Sequence, residues 1–141
     1  MKEEIRSDQF LAGLEGLKNL SAEIRSFSHT QPSYMIQPLL EFHYGCIETN
    51  GTGGAAFRTL YGRFLKINLE NDNNQHIIRA AEDSEKSWNA LADSYKNAAE
   101  DFKKSSKEKK IALLENIAKR AEDLYLAEKN FVDAINSHYK L

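Results

Sequence analysis

Cysteine is nearly missing from this chain, and its scarcity narrows the chemistry at once. Cys46 stands alone, so no internal disulfide can form and a thiolate metal site lacks ligands. A reducing compartment suits such usage. No window approaches the roughly 18 to 20 consecutive apolar residues needed to cross a bilayer. The opening Met-Lys-Glu-Glu-Ile-Arg-Ser-Asp has no apolar core behind it of signal-peptide type, so a cytoplasmic location is expected. No charge sign dominates either: 19 basic against 21 acidic residues leave a formal charge of −2. Nucleic-acid binders carry a basic surplus or stripe. The one lysine cluster, Lys103 to Lys110, is interleaved with Glu108 and follows Glu100 and Asp101, which reads as a solvated corner. Neither a nucleic acid nor a membrane is expected as partner.

Alternation of period two is also absent, whereas helical spacing recurs throughout 141 residues, a length suited to a single domain. Phe10, Leu14, Leu17 and Ile24 share a face, which predicts an amphipathic helix over 7–26, capped by Ser7 or Asp8. Residues 27–33, with Ser, His, Thr, Gln and Pro32, read as a loop. Pro38 suits the first turn of a helix over 38–48. Its apolar residues surround it on most sides, which predicts deep burial.

Three of the seven glycines then fall within four residues, Gly51, Gly53 and Gly54. They predict a tight turn into a helix over 55–69 with Phe57, Tyr61, Phe64 and either Leu60 or Ile67 facing inward. Gly62 at its centre costs about 1 kcal/mol relative to alanine, which suggests close approach of another backbone or a ligand. Beyond the asparagine-rich tract the period becomes strict. Ile77, Ala81, Ser84, Trp88, Leu91, Tyr95, Ala98 and Phe102 step by four and three, the seam of a coiled-coil-like helix over 75–103. A last helix over 107–138 carries Ile111, Leu114, Ile117, Ala121, Leu124, Phe131 and Ile135, with Glu128 interrupting the repeat. The short connection makes the two antiparallel. The fold class expected is all-α: a helical bundle of about five helices with a long antiparallel C-terminal helical hairpin.

Catalytic constellations are hard to assemble. His43 and Cys46 lie three apart and share a helix face, a spacing that can set a thiolate beside an imidazole. Two buried core residues account for it better. No third orienting residue is evident, and neither repeated Glu-x-x-His nor His-Glu-x-x-His occurs, so no metal site and no cofactor are expected. The chain leans away from being an enzyme. His29, His76 and His138 read as solvated or capping, and Trp88 as core. The Gly51, Thr52, Gly53, Gly54 turn, with Arg58, Tyr61 and Arg63 behind it, is a candidate anion site, because backbone N–H groups at a helix start favour negative charge. It matches neither the P-loop nor the dinucleotide fingerprint. Unpaired heptad seams would alternatively drive self-association into a homo-oligomer.

The run Gly51-Thr52-Gly53-Gly54-Ala55-Ala56-Phe57-Arg58-Thr59-Leu60-Tyr61-Gly62-Arg63-Phe64-Leu65, followed by a helix with Trp88, Asn89, Leu91 and Ala92, resembles a known group. It is similar to the C-terminal helical region of the butirosin biosynthesis protein H family over Ile47 to Phe102. The resemblance implies an accessory helical domain acting beside a papain-like cysteine acyltransferase or peptidase domain in small-molecule or peptide modification in bacteria. The residues of that catalytic domain have no counterpart here. Acyl transfer is therefore not carried over, and Cys46 is not the family's nucleophile.

Overall fold

The computed structural model describes residues 13–50, 54–69 and 72–139, and among them every regular element is helical. Helix α1 spans Gly13–Thr30 and α2 spans Ser33–Glu48. A 3-10 turn at Ala55–Phe57 leads into α3, Arg58–Asn68. Another at Asp72–Asn74 leads into α4, Gln75–Asp101, which closes in a 3-10 turn at Phe102–Lys104 before α5, Lys107–Tyr139. The protein is an all-α bundle with the long C-terminal hairpin at its centre.

Helices α4 and α5 form the frame; α1 lies along α5, while α2 and α3 lie along α4. The seams do the packing. On α4 every residue of the heptad run is buried except Trp88, which is half-buried, and on α5 Leu114, Ile117, Ala121, Leu124 and Phe131 are buried. Ile111, expected in that run, is half exposed, because it lies where α5 has only just begun. Burying a side chain the size of leucine or phenylalanine stabilises the fold by about 1.5–3 kcal/mol, so these seams supply much of what holds the bundle. They divide into two apolar clusters. One joins Ile24, Phe27, Leu40, Leu91, Tyr95, Ile117 and Leu124; the other, at the far end of the hairpin, joins Leu65, Leu69, Ile77, Ile78 and Phe131.

Three expectations for the shorter helices are corrected. Helix α1 runs on to Thr30, since Phe27 is buried one turn beyond Ile24 and the Ser26 and Thr30 hydroxyls donate back to the carbonyls of Glu23 and Ser26. Pro32, not the polar run before it, is what stops the helix. Helix α2 begins at Ser33, and Pro38 sits inside it, close enough to the start that one backbone hydrogen bond is forgone. It is not deeply buried either: Tyr34 is 75% and Phe42 61% exposed, because α2 packs chiefly on α4 and nothing covers its far side among the described residues.

Helix α3 is turned over relative to expectation. Phe57, Leu60, Phe64 and Ile67 are all more than half exposed, while Gly62, Leu65 and Leu69 are buried and Arg58 points into the bundle. Two stripes compete on this helix, and the aromatic one lost. The turn before it sets the orientation: Gly54 has φ 90°, and Ala55, Ala56 and Phe57 follow at 46°, 47° and 70°, a left-handed path that costs alanine and phenylalanine roughly 1–2 kcal/mol per residue. Gly62 does face α4, but an added Cβ would meet only Glu85 Oε2, at an ordinary 3.7 Å. Among the described residues no backbone approaches it closely.

Candidate functional site

Glu128 occupies the α5 seam four residues after Leu124 and three before Phe131, so it continues the heptad rather than breaking it. It is 2% exposed. A buried carboxylate requires hydrogen-bond donors, and two elements supply them. Arg58, the first residue of α3, grips it with Nε to Oε1 and Nη2 to Oε2, both at 2.8 Å. From α4, the Ser84 hydroxyl donates to Oε1 at 2.5 Å and the Trp88 indole N–H donates to the same oxygen at 2.6 Å. The Arg58 guanidinium also lies 5.8 Å from the centre of the Phe131 ring. Desolvation pushes the Glu128 carboxyl up, but the bonds from Arg58, Ser84 and Trp88 together outweigh it and hold it below the usual carboxylate range. The same bond to Glu128 holds Arg58 protonated, against a smaller cost of burial. This cluster sits between the two apolar clusters, where Ser84 and Glu128 face each other across the α4–α5 seam.

Beside it opens a cleft of about 640 Å³. Leu14, Leu17, Leu20 and Glu23 of α1 line it together with His43 of α2 and with Arg58, Trp88, Glu128 and Val132. His43 Nδ1 lies 3.0 Å from the Tyr95 hydroxyl, the two rings meeting edge to face at 5.1 Å. Burial lowers the His43 pKa, with Glu23 opposing it in part, so the imidazole is neutral at pH 7. Burial, reinforced by Glu23, raises that of Tyr95, which keeps its proton.

The residues singled out in the sequence are placed as follows. Gly51, Thr52 and Gly53 lie outside the described residues. Gly54 begins the left-handed turn. Arg58 is engaged by Glu128, whereas Arg63, five residues on and therefore about 140° round the helix, is exposed. Tyr61 stacks on Phe64 at 6.1 Å and meets Phe131 edge-on at 5.7 Å. The two arginines are not brought together. His43 and Cys46 do not form a pair of core residues: His43 is half-buried against Tyr95, and Cys46 is exposed. His138 stands 6.5 Å from His76, ring to ring. No group of three or more potential metal ligands occurs among the described residues. From sequence, Ser84 and Tyr95 read only as seam positions and Glu128 only as a break in the repeat, with no functional role for any of the three. A glutamate on one seam and a serine on the facing one were visible signals of a buried polar layer; the partner arginine from another helix was not.

The fold and site define an all-α bundle in which a buried glutamate, held by an arginine and a tryptophan, lines an open cleft. No helix of the described residues is long and apolar enough to cross a membrane. The chain belongs to the DUF4872 family, a domain of unknown function whose model matches residues 1–135. Comparison with curated proteins and with solved structures finds no match. The family description names no activity or partner, so the likeness to the butirosin biosynthesis protein H proteins stays a resemblance.

Proposed function

We propose that this is a helical accessory domain that docks, through the outer stripe of α3, onto a papain-like cysteine acyltransferase or peptidase domain engaged in small-molecule or peptide modification. The observation that carries it is the stripe itself. Leu60, Tyr61, Phe64 and Ile67 recur at the spacing of one helix face, with Phe57 in the turn just before it, and the five are 37–73% exposed. Scattered exposed apolar residues are ordinary, but a continuous row marks a contact surface, and anchors at such spacing are how a helix seats in a partner's groove. The left-handed turn that holds this face outward supports the reading, because backbone strain persists where the surrounding structure maintains it. The catalytic nature of the partner is taken from the resemblance. The rival reading, an anion site at the Gly51–Gly54 turn, has less to stand on, since Arg58 is turned toward Glu128 and Arg63 is exposed on another side of the helix.

The test is co-expression with the papain-like domain encoded in the same gene or beside it, followed by size-exclusion chromatography. Co-elution that is lost in Phe64→Asp/Ile67→Asp, with melting temperature unchanged, is expected. Co-elution that survives the double substitution would falsify the assignment of the surface. A chain that dimerises alone, and becomes monomeric in the same variant, gives the stripe to a second copy instead.

A further inference from the structure

The cleft beside Glu128 carries an inference independent of α3's outer face. Glu128 is saturated: Oε1 accepts three hydrogen bonds and Oε2 one, about all that a carboxylate can accept in a packed site. Arg58 is not. A guanidinium has five N–H donors, and Glu128 takes only those of Nε and one from Nη2. Both Nη1 hydrogens and the outer one of Nη2 have no partner among the described residues, and Arg58 lines the cleft. The fork to Glu128 fixes the guanidinium plane, so the free edge is a prepositioned donor pair, the geometry that recognises a planar oxyanion. Stability alone gives no reason for this arrangement, since apolar residues in place of a buried ion pair are often neutral or stabilising.

The remaining walls select the rest of the ligand. Leu14, Leu17, Leu20 and Val132 are apolar, and the half-buried Trp88 adds its ring. Glu23, Arg58 and Glu128 together leave the cleft with one net negative charge, so a phosphate dianion is repelled more strongly than a single carboxylate. We infer that the cleft between α1 and the α4–α5 hairpin binds a monocarboxylate with an apolar body, its carboxylate on the outer edge of Arg58 and its body along the α1 leucines and Trp88.

Trp88 is the only tryptophan in the chain, so its fluorescence reports on the cleft directly. Titration with sodium octanoate is expected to give a saturable change in emission, at least tenfold tighter than octan-1-ol, with inorganic phosphate inert. The double variant Arg58→Met/Glu128→Leu, which removes both charges together, is expected to melt cooperatively and to lose at least tenfold in octanoate affinity. Leu17→Gln, a milder change on α1, is expected to weaken octanoate several-fold while leaving the Arg58–Glu128 pair in place. Phe64→Asp/Ile67→Asp is expected to leave the titration unchanged, which separates this site from the docking face. Octanol binding as tightly as octanoate, full octanoate affinity in a folded Arg58→Met/Glu128→Leu, or no saturable response in the unaltered protein overturns the inference.

Discussion

Arg58 and Glu128 lie 70 positions apart in the chain, yet each is intelligible only beside the other. Removing one charge strands its partner, and breaking a buried pair costs more than the pair contributes against an apolar replacement. Arg58→Met is therefore expected to destabilise the protein by about 3 kcal/mol, the lower end of the usual range because the Arg58 side chain is 28% exposed. Arg58→Met/Glu128→Leu should recover most of that loss, and urea denaturation of both variants measures it. The pair also gives a pH dependence. Glu128 titrates lower in the folded protein than in the unfolded chain, whose ordinary value is 4.5. Its contribution is thus fully present above about pH 4.5 and is lost as pH falls through the depressed folded value. Urea midpoints at pH 7 and pH 3.5 should fall further apart in the unaltered protein than in Arg58→Met/Glu128→Leu. Equal separation would mean that Glu128 does not carry this slope.

Element α3 shows how a helix can hold two legible stripes and bury the one that looks weaker. Its aromatic row is the more apolar, but the row of Arg58, Gly62, Leu65 and Leu69 fits α4 and Glu128. Gly62 was read as a site of close approach, and the space around it says otherwise: a Cβ meets only a flexible carboxylate at 3.7 Å. Gly62→Ala is expected to stabilise the protein by about 1 kcal/mol through helix propensity, which raises the melting temperature by about 3 °C for a chain of this size. A fall on calorimetry would mean that α3 already packs on α4 more tightly than 3.7 Å implies. Helix α1 taught the converse lesson. Polar residues at its end looked like a loop, but serine and threonine can bond back to their own helix, and only Pro32 compels a break.

At the scale of the molecule, one hairpin carries everything. Helices α1, α2 and α3 each pack chiefly on one of the two long helices, whereas α4 and α5 also pack extensively on each other. Local openings should follow that asymmetry, because stability is distributed according to buried contacts. Hydrogen exchange is expected to be slowest across the seam from Leu91 to Phe102 and from Leu114 to Leu124, and faster in α2 and α3. Uniform protection of all five helices would contradict a hairpin-centred fold. Across the opposite face, Arg25 of α1 reaches Glu115 and Glu122 on α5 at 2.8 and 2.6 Å. These exposed pairs fix the antiparallel register more than they stabilise it.

The strict steps of four and three from Ile77 to Phe102 and from Leu114 to Ile135 determined by themselves that two long helices would pair antiparallel, because a heptad repeat leaves a seam that must be buried and a short link leaves one direction. The Gly-rich turn likewise announced a change of course before α3. What only the tertiary structure decided was which face of α3 turned inward, how little of α2 was covered, and that Glu128 belonged to the seam. Periodicity ranks faces by apolarity along one chain segment. A buried carboxylate is settled by donors arriving from elsewhere, and here they came from Arg58, Ser84 and Trp88 on two other helices, a convergence that no local pattern encodes.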